Sequence, residues 1–311
     1  MPDLDRTYTL ISPCRNEADL MRRTLDSVAA QTVQPTEWIV VDDGSTDATQ
    51  EILSEYSQRL PYVQVITRKD RGIRSVGPGV IEAFYAGYEK ASKPHAYLCK
   101  LDMDLDLPHR YFERLIETME SDPRLGTVSG KAFFRDPVTQ KPILEQILDH
   151  VSQGMTKFFR RECFQEIGGF VREVMWDGID CHRCRMLGWK ALSMDGPELR
   201  FEHLRPMGSS QQNIYAGRKR HGYGQYFMGT NLPFITASAF SRLMSPPRVT
   251  GAAMMWWGYV EAMVQRKPRY NDPDFIRFLR RWQWMSLTMG TKRATDKVDE
   301  EQKKVWDQRN K

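Results

Sequence analysis

The sequence predicts an α/β chain, with a mostly parallel sheet carrying helices on both faces. Three observations predict it. Short apolar runs alternate with stretches of helical spacing up to Ser121. The links between them are short, as βαβ units require. Polar residues gather where the apolar runs stop, which is where ligands bind in such sheets.

Tyr8–Ser12 (YTLIS) is the first strand, stopped by Pro13. Residues 17–31 follow at helical spacing, with Leu20, Thr24, Leu25 and Val28 on one side. Glu37–Val41 is the second strand, and Asp47–Leu60 a helix with Ile52, Leu53 and Tyr56 inward. Val63–Thr67 is the third strand, and Gly79–Ser92 a helix containing Ile81, Phe84, Tyr85 and Tyr88. Ala96–Leu101 is the fourth strand. Pro108–Ser121 is a helix with proline in its first turn.

At 311 residues the chain suits one large domain, or one domain with an appendage. Hydrophobic residues at 41% and charged residues at 27% exclude a disordered chain. The net charge of +5 is unevenly spread: residues 200–311 hold 20 Lys/Arg against 9 Asp/Glu. An acidic body with a basic C-terminal region suggests an anionic partner for that region. The five cysteines lack the spacing of a disulfide framework. Cys181-His182-Arg183-Cys184 has no second pair to complete a zinc set, so two helix-packing thiols are expected. The start, MPDLDRTYTL, has neither a basic region nor an apolar stretch of signal type. A cytoplasmic location is expected.

The strand ends carry the chemistry. The first strand ends in Ser12-Pro13-Cys14-Arg15-Asn16-Glu17, the second in Asp42-Asp43, the fourth in Asp102-Met103-Asp104. Asp102 and Asp104 are two residues apart, so an extended backbone puts both carboxylates on one side. One or two carboxylates plus substrate phosphates is the usual way to hold Mg²⁺. Asp106 continues the pattern but precedes Leu107-Pro108, where it could simply cap a helix. Asp47 with Gln50 reads as a helix start. Neither GxxxxGK[ST] nor a post-strand GxGxxG occurs, which disfavours a P-loop kinase or a nicotinamide dehydrogenase.

Four segments in order, SPCRNEADLMRRTLDSVAAQT, WIVVDDGSTDAT, CKLDMDLDLP and FRRECFQEIGGF, resemble the family 2 glycosyltransferases of GT-A fold. The likeness covers about residues 7–205, taken as the nucleotide-sugar-binding and catalytic domain, with 206–311 a basic, aromatic-rich helical extension. The resemblance implies inverting transfer of a single sugar from a UDP- or GDP-sugar to an acceptor hydroxyl, in cell-envelope or exopolysaccharide synthesis, with Mg²⁺ or Mn²⁺. It implies that Pro13, Arg15 and Glu17 line the nucleotide, that Asp42 or Asp43 meets the base, and that Arg74 supports the nucleotide. Asp102 would approach ribose and phosphate, and Asp104 would hold the metal, with Asp102 and His203 as further metal candidates. His203 is equally suited to a structural role. The family's Glu-Asp before a helix is here Trp176-Asp177. That makes Asp177 the expected catalytic base, with Asp180 its competitor one turn on. Trp176 would stack on an acceptor sugar or fill a core.

Beyond residue 206 the likeness fades. Arg218-Lys219-Arg220-His221 is a cationic cluster that could close over a diphosphate or face solvent. Apolar stretches with Met254, Met255, Trp256, Trp257 and Tyr259 lie beside Arg266-Lys267-Pro268-Arg269-Tyr270 and Arg280-Arg281-Trp282. They suit either a peripheral element on an anionic membrane surface or a packed amphipathic subdomain. A lipid-linked or glycan acceptor fits the former. No nucleic-acid module is recognisable, and none is expected as partner. Residues 292–311 alternate acids and bases, so an exposed helix or frayed tail is expected. A non-catalytic sugar-nucleotide or glycan-binding module on the same fold is the alternative function.

Overall fold

The computed structural model describes residues 6–70, 72, 77–145, 147–205, 214–244 and 248–309. Its elements run β1 (Tyr8–Cys14), α1 (Met21–Ala29), β2 (Glu37–Asp42), α2 (Thr49–Arg59), β3 (Val63–Thr67), α3 (Pro78–Tyr88), β4 (Tyr97–Leu101) and β5 (Leu105–Asp106). Next come α4 (Tyr111–Ser121), β6 (Leu125–Ser129), β7 (Lys131–Arg135), β8 (Pro142–Leu144), β9 (Thr156–Arg160), α5 (Arg161–Glu166), α6 (Trp176–Met186), β10 (Lys190–Ser193) and β11 (Arg200–His203). The chain ends with α7 (Ile214–Met228), α8 (Leu232–Ser241), a 3-10 turn Arg242–Met244, α9 (Arg248–Val264), α10 (Pro273–Met289) and α11 (Thr291–Arg309).

All eight elements expected up to Ser121 are present. The main sheet has the order β10-β6-β9-β4-β1-β2-β3. β3, β2, β1 and β4 run parallel. β9 enters antiparallel between β4 and β6, so the sheet is mixed. Side-chain alternation divides the two faces. Trp38 and Val40 of β2 join the core with Tyr8, Leu25, Tyr56 and Phe112, while Ile39 and Val41 meet Ala83 of α3 on the other face. The Trp38 indole satisfies its N–H inside that core by donating to Ser12 Oγ at 2.9 Å.

A second, four-stranded sheet, β5-β11-β7-β8, was not legible from the sequence. Its function is positional. β5 pairs antiparallel with β11, placing Leu105 opposite His203 just beyond the Asp102–Asp104 segment.

The chain divides into two compact units, and the boundary differs from a cut at 205/206. Residues 1–172 and 190–206 form the first; 173–189 and 207–311 form the second. Thus α6 belongs with the C-terminal helices. His182 of α6 packs edge-on against Trp282 of α10 at 4.6 Å between ring centroids. Arg185, buried, pairs with Asp299 of α11 at 3.2 Å. Trp189 meets Trp306 at 4.5 Å. α11 is therefore a packed helix and not a frayed tail: Ala294, Thr295 and Val298 are buried. Cys181 and Cys184 are buried on α6 and lie outside any disulfide.

α7 and α9 cross unusually closely. A Cβ on Gly222 would lie 1.9 Å from the Met255 carbonyl oxygen, and one on Gly258 2.1 Å from that of Lys219. Only hydrogen side chains fit at both contact points.

Candidate nucleotide and metal site

Three strand ends are brought level by parallel register, with Cys14 opposite Asp42 and Ile11 opposite Lys100. The loops after β1 and β2 are then laced together. Asn16, in the left-handed region at φ +53, donates its backbone N–H to Ser45 Oγ at 2.9 Å. Its side-chain oxygen accepts from Thr46 N–H at 2.8 Å. Glu17 N–H donates to Thr49 Oγ1, and Ala18 N–H to Asp47 Oδ2. Gly44 turns the chain at φ +77, where an added Cβ would sit 2.4 Å from Asp70 Cα.

The three acids of VVDDGSTD therefore have distinct partners. Asp42 is fully buried, accepts from Ser45 N–H at 2.9 Å, and accepts from Gln50 Nε2 at 2.8 Å. Both its oxygens close the turn. Asp43 Oδ1 accepts from Arg68 at 2.8 Å, and its carbonyl from Arg15 at 2.6 Å. Arg15 also reaches Asp70, and Pro13 lies half-buried beside it. Asp47 makes a local turn to Thr49 N–H at 3.0 Å. Gln50 does not complete a capping box, because Asp42 takes its amide. Asp42→Ala should cost about 1–3 kcal/mol of stability by removing the buried acceptor of two hydrogen bonds. An unchanged melting temperature would contradict that role.

Asp102 and Asp104 point to different partners. Asp102 accepts from Lys100, whose ammonium also donates to the Gly154 carbonyl at 3.0 Å. Burial holds the Asp102 carboxyl above its ordinary range, against the pull of Lys100. Asp104 Oδ2 accepts from Arg205 Nε at 3.0 Å and Nη2 at 2.9 Å, and lies 3.6 Å from His203 Nε2. Arg205 also pairs with Glu17. The second ring nitrogen of His203, Nδ1, meets Glu145 Oε1 at 2.9 Å. Burial opposes charge on both Asp104 and His203, yet their mutual contact wins. Asp104 falls to about 2, with Arg205 assisting, and His203 rises to about 9, with Glu145 assisting.

The residues present can be tested against a divalent cation. Among the described residues no three His, Cys, Asp or Glu side chains gather as a ligand set. The expected trio of Asp102, Asp104 and His203 is thus not gathered as a ligand set, and Asp102 pairs with Lys100. Asp104 and His203 alone do fit. Their facing atoms are spaced like two ligands of one ion, and a carboxylate on the far histidine nitrogen is the usual outer support. Arg205 supplies the positive charge at that oxygen in this structure.

Lys100, Glu145 and Arg205 were missed by sequence reasoning. Arg205 alone carried a signal, lying two residues past His203 on the same side of an extended segment. Arg74 lies outside the described residues. Asp106 caps no helix; it pairs with Arg23 at 2.5 Å.

The second unit carries Asp177 in the first turn of α6, partly exposed. Asp180, one turn on, is 1% exposed, and Trp176 is 8% exposed and largely packed. Arg220 of α7 feels the Asp177 charge, which opposes the lowering that burial imposes on the guanidinium. Arg220 also lines a cleft of about 330 Å³ between α7 and α9, with Lys219, Tyr223, Glu261 and Lys267.

Residues 9–176, more than half of the chain, match the family described as Glycosyl transferase family 2. A poly-β-1,6-N-acetyl-D-glucosamine synthase of Staphylococcus aureus is 28% identical over 128 residues, 41% of this chain and 29% of that protein. The chain therefore spans under a third of that relative's length. Mannosyltransferase PcManGT from Pyrobaculum calidifontis, solved with GDP-Man and Mn²⁺, is 19% identical with a TM-score of 0.51, covering 97% of this chain and 89% of its own. S. aureus TarS 1–349, solved with UDP-GlcNAc, is 12% identical with a TM-score of 0.50, covering 97% and 92%. At such identities these two likenesses speak for the fold. The family match over more than half of the chain establishes that it belongs to glycosyl transferase family 2, and the structural likenesses give it the GT-A fold.

Proposed function

We propose that the protein is an inverting glycosyltransferase. It moves one sugar from a UDP- or GDP-sugar to a hydroxyl of a glycan or lipid-linked acceptor in envelope or exopolysaccharide synthesis. The observation that carries this reading is the Asp104–His203–Glu145 relay at the mouth of a parallel-strand rim, beside Glu17 and Arg205. Such a rim suits a nucleotide diphosphate, with Arg15, Asp43 and Asp102 toward base and ribose. PcManGT was solved with a GDP-sugar and Mn²⁺, and TarS with a UDP-sugar, which supports the same donor class here.

Asp104 and His203 would hold Mg²⁺ or Mn²⁺, which supplies charge neutralisation for the departing diphosphate. Asp177 accepts the acceptor's hydroxyl proton as that oxygen attacks the anomeric carbon, the C–O bond to the diphosphate breaking on the opposite face. Its partial exposure suits contact with an acceptor, whereas the buried Asp180 suits packing. Trp176, being packed, is better suited to fixing the start of α6 than to stacking on sugar.

A donor screen tests this. The purified chain with UDP- and GDP-sugars should release nucleoside diphosphate in the presence of Mn²⁺ or Mg²⁺, and stop with EDTA. Binding of a donor with no release, over a broad acceptor panel, would instead favour the non-catalytic module.

A further inference from the structure

α9 buries one side and leaves the other apolar. Gly251, Ala252, Met255, Gly258, Tyr259 and Ala262 face inward at helical spacing. A surface helix ordinarily puts charge on its outer side. Here Val249 is 68% exposed, Trp257 51% and Val264 72%, with Trp256 and Met263 also exposed. Within α9 the charged residues are Arg248 and Glu261, and Glu261 is paired with Lys219 at 2.8 Å.

The patch continues onto α8. Leu232, Thr236 and Phe240 lie four residues apart along one side, and Leu232 and Phe240 are exposed. The Trp256 indole N–H donates to Thr236 Oγ1 at 3.3 Å, which joins the two exposed sides. The flanks are basic: Arg248 opens α9, and Arg266 and Lys267 follow it, all exposed. From residue 242 to 267 the sequence contains four Lys/Arg and one acid.

Exposed indoles on a helix with cations at its ends are the pattern of a helix lying in a membrane interface. No helix among the described residues is long and apolar enough to cross a bilayer. We propose that the α8–α9 face docks in plane on a bilayer containing anionic lipid. Phe240, Trp256 and Trp257 enter the headgroup layer, and Arg248, Arg266 and Lys267 meet lipid phosphate. Charge chooses this occupant: a second copy would set the same basic rim against itself. The inference goes beyond the transfer reading and stands or falls without it.

The test uses the full chain with phosphatidylcholine vesicles, with and without phosphatidylglycerol, in flotation at low and high salt. Binding to anionic vesicles is expected, with a blue shift of tryptophan emission and weakening at high salt. Trp256→Ser with Trp257→Ser should keep the circular dichroism and melting temperature and lower vesicle partitioning at least about tenfold. Arg248→Glu with Arg266→Glu should lower binding to anionic vesicles selectively. No binding at low salt, or binding that ignores both variants, overturns the proposal. So does a concentration-dependent dimer in light scattering that the tryptophan variant dissolves, since the face would then join two copies.

Discussion

Asp104→Asn is expected to reduce sugar transfer by about a thousandfold or more, while leaving the protein folded. The side chain keeps its shape and can still accept from Arg205, but its charge is gone. Transition-state charge stabilisation of this kind is worth several kcal/mol, and each tenfold in rate corresponds to about 1.4 kcal/mol. The fold should survive because both neighbours keep another acid: Arg205 retains Glu17, and His203 retains Glu145. Turnover measured across a Mn²⁺ titration checks this. Rates within tenfold of the parent at saturating metal would remove Asp104 from the chemistry.

Asp177→Asn should lower kcat by about 10² to 10⁴, the usual contribution of a positioned general base. The donor's KM should hardly move, because a general base acts on the acceptor hydroxyl and not on the nucleotide. The neighbouring acid supplies the contrast. Asp180 is buried on α6 beside Ile179, Cys181 and Cys184. Asp180→Asn should act mainly on the melting temperature, at a cost of about 1–3 kcal/mol. If Asp180→Asn abolishes turnover in a protein of normal stability, and Asp177→Asn does not, the two roles are reversed.

The strand-end reading survived because periodicity and sharp polar stops are local signals. They located Asp42, Asp43, Asp102 and Asp104 without any knowledge of partners. What they could not supply was the partner of each carboxylate. Nothing in VVDDGSTD says that Gln50 folds back onto Asp42 and leaves Asp43 for Arg68. Likewise nothing in the sequence says that Lys100, in a buried strand, pairs with Asp102. The second sheet was invisible for another reason. β5 has two residues and β8 three, too short for any alternation to register. α11 misled through its charge: one apolar stripe of Ala294, Val298 and Trp306 sufficed to pack it.

The two-part construction of the second unit bears on how the protein is made. α6 leaves the ribosome more than a hundred residues ahead of α11, its partner through Asp299 and Trp306. At a synthesis rate of about 5–20 residues per second, that gap lasts of order five to twenty seconds. Throughout it, the Arg185 guanidinium and the Trp189 ring have no α11 to cover them. The first unit meanwhile has every strand it needs once β11 has emerged. The nascent chain should therefore pass through a stage with a finished sheet and an unfinished α6. That stage is a natural point for chaperone capture, or for aggregation when expression is rapid.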